Sequence, residues 1–237
     1  MIELERKHSL PTRIFHWVNA VALGIMIWSG ILIYWAHDVY EIRIFGRTIL
    51  KFFPSWFYTN PLWQIDHRLA EGMAWHFSAL WIFALNGLAY VIYTAASGEW
   101  KHLVPNLSTP RDALHVVLHD LGIRKEPLPR AKFNGAQRIA YTGVVMMGAG
   151  SILSGIAIYK PVQFDWLRSL LGGYEAARLI HFLLTLGYVA FFVIHISQVV
   201  KAGWNNFRAM IIGVEARPIE VPSVVVAPAA MREESNS

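Results

Sequence analysis

Two histidines, His181 and His195, stand in one uncharged apolar run over residues 179–200 (LIHFLLTLGYVAFFVIHISQVV). A helix through this run rises ~1.5 Å per residue, so the imidazoles lie roughly 21 Å apart along its axis. At ~100° per residue they fall within about 40° of one face. One helix thus offers two histidines to one side, one near each end. Two further apolar runs hold one histidine each, His16 and His76. An ionisable side chain inside an apolar span is costly to bury and points to function. Imidazole nitrogen is above all a metal ligand and a proton carrier.

The elements that must position these residues are membrane spans. The 237 residues are 55% hydrophobic and only 16% charged, too apolar for an ordinary soluble domain. Residues 14–36, 72–97, 139–159 and 179–200 contain no Asp, Glu, Lys or Arg. Each meets the ~20-residue requirement for a transmembrane helix, without the polar stripe of a soluble helix. The expected fold is an all-α membrane four-helix bundle over residues 1–212, followed by a disordered tail over 213–237 that is rich in proline, with a Glu/Ser end. The first span is longer than a signal-peptide core and no clear cleavage site follows, so it should be retained.

Four spans place both termini on one side. That side carries most of the Lys and Arg, including Arg6, Lys7 and Arg13, Lys101 to Arg138 in the 98–138 loop, and Lys201 and Arg208. Both termini should therefore be cytoplasmic. The net charge of +5 fits loops beside anionic lipid, and no nucleic-acid motif accompanies it. The aromatic 37–68 loop should rest in the opposite interface or meet a partner. Residues 111–122 read as a short amphipathic surface helix. The absence of cysteine excludes disulfides, thiolate-held iron–sulfur clusters and C-x-x-C-H haem attachment.

Depth pairs the histidines. His16 opens span one and His195 closes span four, so both lie toward the cytoplasm. His76 opens span two and His181 opens span four, so both lie toward the outer face. Two pairs at two levels suit two non-covalent haems, each iron held between two imidazoles, His16 with His195 and His76 with His181. A bare zinc or copper site would gather three or four ligands at one point. The alternative for each histidine is an interhelical hydrogen bond. Gly24, Gly30, Gly143, Gly148, Gly150, Gly155 and Gly187 could make room for haem, or simply pack helices. Arg13 on the inner side, and Lys160 and Arg178 on the outer side, could pair with anionic propionates or anchor at the interface. His115 and His119, spaced i, i+4, read as solvated surface residues before a metal pair. His8, His37, His67 and His102 lie at or beyond span ends.

The segments TRIFHWVNAVALGIMIWSG, GMAWHFSALWIFALNGLAYVIY, FNGAQRIAYTGVVM and HFLLTLGYVAFFVIH together resemble the bacterial di-haem cytochrome b family over about residues 8–210. That family includes cytochrome b561, the cytochrome b subunits of nickel–iron hydrogenases, the gamma subunit of formate dehydrogenase and the cytochrome b of thiosulfate reductase-like complexes. The pattern of Asn134, Gln137 and Tyr141 leans toward the last branch, and four spans argue against the hydrogenase branch. The resemblance implies haem b ligation by His16, His76, His181 and His195. It also implies quinone chemistry at the cytoplasmic haem, where Asn134 and Gln137 could hydrogen-bond a quinone carbonyl. The competing role for Asn134 is a helix N-cap.

The function expected is electron transfer across the bacterial inner membrane. An extracytoplasmic redox subunit, containing molybdenum or iron–sulfur, would exchange electrons with the quinone pool through two haems b. The protein would be the membrane anchor and wire, not the catalytic subunit. The alternatives are a self-contained quinol-dependent reductase and a non-redox anchor or transporter.

Overall fold

The computed structural model describes residues 2–36, 41–52, 68–126 and 133–218. Four helices are long and apolar enough to cross a membrane: α1 (Leu10–Trp35), α2 (Leu69–Ser97), α5 (Gly135–Tyr159) and α7 (Tyr174–Ala202). Between α2 and α5 lie two short helices, α3 (Trp100–Leu103) and α4 (Thr109–Asp120). Helix α6 (Asp165–Leu170) precedes α7, and α8 (Trp204–Ile212) follows it.

Two of the spans, α1 and α5, begin before their charge-free stretches at side-chain caps. Ser9 opens α1, its hydroxyl accepting the Thr12 N–H. Asn134 opens α5 in a reciprocal capping box: its side chain accepts the Gln137 N–H at 2.9 Å, and Gln137 accepts the Asn134 N–H at 3.1 Å. Gly98 and Gly203, both at positive φ, end α2 and α7.

Helix α1 lies along α2, and α5 along α7, while the two helix pairs approach each other far less closely. At Gly72 an added Cβ would stand 2.8 Å from Leu32 Cβ, so α2 touches α1 there with no room for a side chain. Gly187 plays the same part between α7 and α5, where a Cβ would meet Met147 Sδ at 2.9 Å. The seam between the pairs closes at one level. There Ala22, Leu23, Phe83 and Tyr188 form a buried cluster, backed by Met26, Val144 and Phe192. The Tyr188 hydroxyl donates to the Val144 carbonyl at 3.3 Å.

Four short strands accompany the bundle. β2 (Glu41–Ile44) and β3 (Arg47–Lys51) form a hairpin through Phe45 and Gly46, both at positive φ. The FFPSWFYTNPLW segment lies almost wholly outside the described residues. β1 (Ile2–Arg6) pairs antiparallel with β4 (Val214–Pro218), Ile2 opposite Pro218 and Arg6 opposite Val214. These strands join the two ends of the chain on one side of the bundle, hereafter the terminal side. Residues 214–218 belong to the segment expected to be a disordered tail. They are ordered by this ladder and by Asn205, which donates to Ala216 O and accepts the Ala216 N–H. Residues 219–237 lie outside the described set.

Helix α4, at the place expected for the amphipathic surface helix, packs on the start of α5. A Cβ on Gly135 would stand 2.5 Å from the Ala113 nitrogen. Asp120 at its end accepts hydrogen bonds from Lys201 (2.7 Å) and Gln198 (3.1 Å) of α7, which keeps this connection on the terminal side.

Candidate functional site

The four histidines of the spans meet as two pairs across the seam. On the terminal side His16 of α1 faces His195 of α7, with ring centroids 6.1 Å apart and planes at 54°. At the other end, the distal side, His76 of α2 faces His181 of α7 at 6.2 Å and 64°. An imidazole nitrogen binds a first-row metal ion at about 2 Å. With each ring centre a little further back, an ion held between two imidazoles sets the centroids about 6 Å apart. Both pairs have that separation. Among the described residues, no group of three or more His, Cys, Asp or Glu side chains is placed to hold a metal ion. Two imidazoles at that separation are a donor set that would suit one haem iron at each pair.

The distal histidines are fixed by hydrogen bonds. Ser29 Oγ lies 2.7 Å from Ile25 O and 3.0 Å from His76 Nδ1. Ser154 Oγ lies 2.7 Å from Gly150 O and 2.9 Å from His181 Nδ1. A hydroxyl has one proton, and each serine gives it to the carbonyl four residues back. Each Oγ must then accept the Nδ1–H. The network therefore assigns the Nδ1–H tautomer to both rings and leaves each Nε2 lone pair for a ligand. Beside the serines, Gly30 and Gly155 let the rings come close: added Cβ atoms would stand 3.7 Å from His76 Cε1 and 3.4 Å from His181 Cε1. Phe182 stacks on Tyr34 at 4.9 Å across the seam at this end.

The terminal-side pair has an aromatic setting. Trp17 meets His16 edge-on at 5.0 Å, and Phe191 stacks on His195 at 5.4 Å. His16 Nδ1 is buried with no hydrogen-bond partner among the described residues. Trp17 donates its indole N–H to Met210 O at 3.1 Å and packs on Phe207, so α8 covers this end.

The remaining sequence candidates lie outside these two pairs. Arg13 reaches the end of α8, where a guanidinium nitrogen donates to Ile211 O and Nε is buried without a partner among the described residues. Lys160 sits over the Tyr159 ring at 4.7 Å, and Arg178 pairs with Glu175 at 3.1 Å. Asn134 and Gln137 use their side-chain oxygens in the cap of α5. Of the glycines, Gly148 and Gly150 face Tyr188 and Leu184, whereas Gly24 and Gly143 have nothing within 4 Å. His115 lies 3.6 Å from Glu126, and His119 lies 3.9 Å from Asp120. His37 and His67 fall outside the described residues.

Ser29 and Ser154 were not anticipated as site residues. A lone serine in an apolar run reads as a small packing residue. The available signal was the Ser-Gly-Ile triplet repeated at 29–31 and 154–156 in the first and third spans.

The sequence matches the prokaryotic cytochrome b561 family over residues 7–213. It is 34% identical over 197 residues to the putative protein-methionine-sulfoxide reductase subunit YedZ1 of Azospira oryzae, covering 83% of this chain and 91% of that protein. The relative is named for methionine-sulfoxide rather than thiosulfate chemistry. Of the Asn134, Gln137 and Tyr141 pattern, the first two residues form the cap of α5. With four apolar helices and two facing histidine pairs in their seam, the chain belongs to the prokaryotic cytochrome b561 family of membrane haem-binding electron-transfer proteins.

Proposed function

We propose that this chain is the membrane subunit that carries electrons between a quinone on the cytoplasmic side and a redox partner on the outer face of the bacterial inner membrane. Its cofactors are two haems b, one held by His16 and His195, the other by His76 and His181. The observation that carries this reading is the pair of facing imidazoles at each end of α7, both at a separation that suits a shared ion. The heavier positive charge of the terminal side supports a cytoplasmic location for both termini.

Haem supplies one-electron exchange at its iron; the chain supplies ligands, burial and spacing. His181 and His195 keep the two sites on one rigid helix, so their separation is fixed. The Phe83–Tyr188 layer fills the seam between them and excludes water. Arg13 on the terminal side, and Lys160 and Arg178 on the distal side, are the cations that would pair with haem propionates, exchanging their present contacts for them. The side-chain NH2 groups of Asn134 and Gln137 are the donors these residues could offer a quinone carbonyl while keeping the α5 cap. The name of the Azospira oryzae relative makes a methionine-sulfoxide reductase the first partner class to test. Reducing one sulfoxide to a thioether takes two electrons and two protons and releases water, so electrons would flow outward from quinol.

The test is reduction of the purified chain by a short-chain quinol, followed in the haem α-band, then reoxidation by an outer-face sulfoxide reductase with its substrate. Quinol-driven reduction that reverses with partner and sulfoxide supports the reading. Haem that no quinol reduces contradicts the quinone assignment. Reduction without partner-dependent reoxidation contradicts the partner class.

A further inference from the structure

We propose that Ser29 and Ser154 are positioning residues for the distal haem, and that the repeated Ser-Gly pair in α1 and α5 is a device for fixing both of its ligands. The proposal rests on the two-haem reading above and adds to it the residues that set the ligand state at one site.

Both serines are wholly buried, in an apolar layer where an unpaired hydroxyl would be costly. Each satisfies its own proton on the backbone carbonyl of its own helix and then offers only a lone pair to the seam. His76 and His181 come from the neighbouring helices α2 and α7, so each serine reaches across one tight helix pair, α1 to α2 or α5 to α7. The next residue is glycine in both places, and the ring edge rests over it. The same triplet thus performs the same task on both sides of the seam. Facing a hydroxyl whose proton is already spent on its own helix, Nδ1 carries the hydrogen, and Nε2 is the atom left for the ligand.

A hydrogen bond from Nδ1–H makes imidazole a more basic ligand, and such outer partners typically change metal affinity 10- to 100-fold, as an order of magnitude. A more basic ligand favours ferric over ferrous iron. The serines should therefore lower the potential of the distal haem, tighten its binding and narrow the spread of ring orientations. The terminal-side haem, whose His16 Nδ1 has no hydrogen-bond partner among the described residues, should not respond.

The experiment uses the full chain in detergent, loaded with haem during expression. Ser29→Ala, Ser154→Ala and the double variant are compared with the wild type by redox titration of the α-band, low-temperature electron paramagnetic resonance and haem transfer to apomyoglobin. Ser78→Ala is the control: Ser78 makes the same back-bond, to Ala74 O at 2.8 Å, on an exposed face of α2. The expected result is a higher potential for one haem only and broadened ferric signals from it. That haem should be held about 10-fold less tightly in the double variant, with smaller effects in each single variant. The control should match the wild type. If the double variant does not fold, the single variants are read in the same way. Unchanged potential and retention in variants of a two-haem wild type would overturn the proposal alone. Equal shifts at both haems, or the same shift in Ser78→Ala, would reduce the serines to general helix packing and overturn it too. A wild type with fewer than two haems overturns the two-haem reading and this proposal with it.

Discussion

At the distal site each imidazole has a serine behind it; at the terminal-side site, among the described residues, neither ring meets a serine hydroxyl. His76 and His181 are 3.0 and 2.9 Å from serine hydroxyls, whereas the His16 Nδ1 is buried without a partner among the described residues. The ring separations are nevertheless almost equal, 6.2 and 6.1 Å. Two different means produce one geometry. The distal pair is set by hydrogen bonds within two tight helix contacts. The terminal-side pair is set by aromatic packing from Trp17 and Phe191, under a cover made by α8. Hydrogen bonds fix a tautomer and a ring angle; packing fixes a position but leaves the ring freer to rotate.

The comparison breaks most sharply through the ligands. His76→Ala should leave one haem per chain with the spectrum of the terminal-side site, and His16→Ala should leave the other. Either variant should stop quinol-to-partner transfer. Retention of both haems in His76→Ala would remove the distal assignment. A smaller effect should come from Gly72→Val. Its added Cβ would stand 2.8 Å from Leu32 Cβ and 3.1 Å from Ser29 O, so α1 and α2 must part. Overpacking of this kind costs about 1–3 kcal/mol and should disturb the distal signal alone. An altered terminal-side signal would mean that the two sites are not built independently.

Weaker still should be Trp17→Phe, which keeps the ring against His16 but removes the bond to Met210 O. Its expected cost is about 1 kcal/mol. Faster hydrogen exchange in α8, with the distal haem unchanged, is the outcome that fits. The mildest prediction concerns pH. The hydrogen bond from Lys201 holds the Asp120 carboxyl below its usual range. A depressed folded value means that this contact stabilises above the unfolded value and is lost as pH falls through the folded one. Docking of α4 on α7 should thus be insensitive to pH near neutrality and loosen only in acid, below the ordinary carboxylate range. Asp120→Asn should loosen it at every pH. Limited proteolysis at Arg111 and Arg124 reads both effects.

Much of this was legible in the residues. Charge-free runs mark the spans because buried charge in lipid is expensive, and the helices differ from them only by a few residues at their ends. Depth alone puts His16 opposite His195 and His76 opposite His181, since a helix converts position in the chain into height in the membrane. What escaped was what depth and polarity do not encode. The β1–β4 ladder joins five-residue strands from opposite ends of the chain, and neither strand has a strong pattern of its own. Ser29 and Ser154 act through the direction of one proton, which composition does not reveal. The N-cap weighed for Asn134 is present, with Gln137 as its reciprocal partner, and it occupies their side-chain oxygens while leaving their NH2 groups. Arg13, expected near a propionate, spends one donor on the end of α8, a contact with a helix that lies nearly 200 positions later in the chain.

The most direct measurement is haem per polypeptide, by pyridine haemochrome on the purified wild type, on His76→Ala, on His16→Ala and on a His181→Ala/His195→Ala double variant. The account predicts two b haems, then one, one and none. A wild type with one haem or none, or a double variant that keeps its haem, would contradict the two-pair assignment.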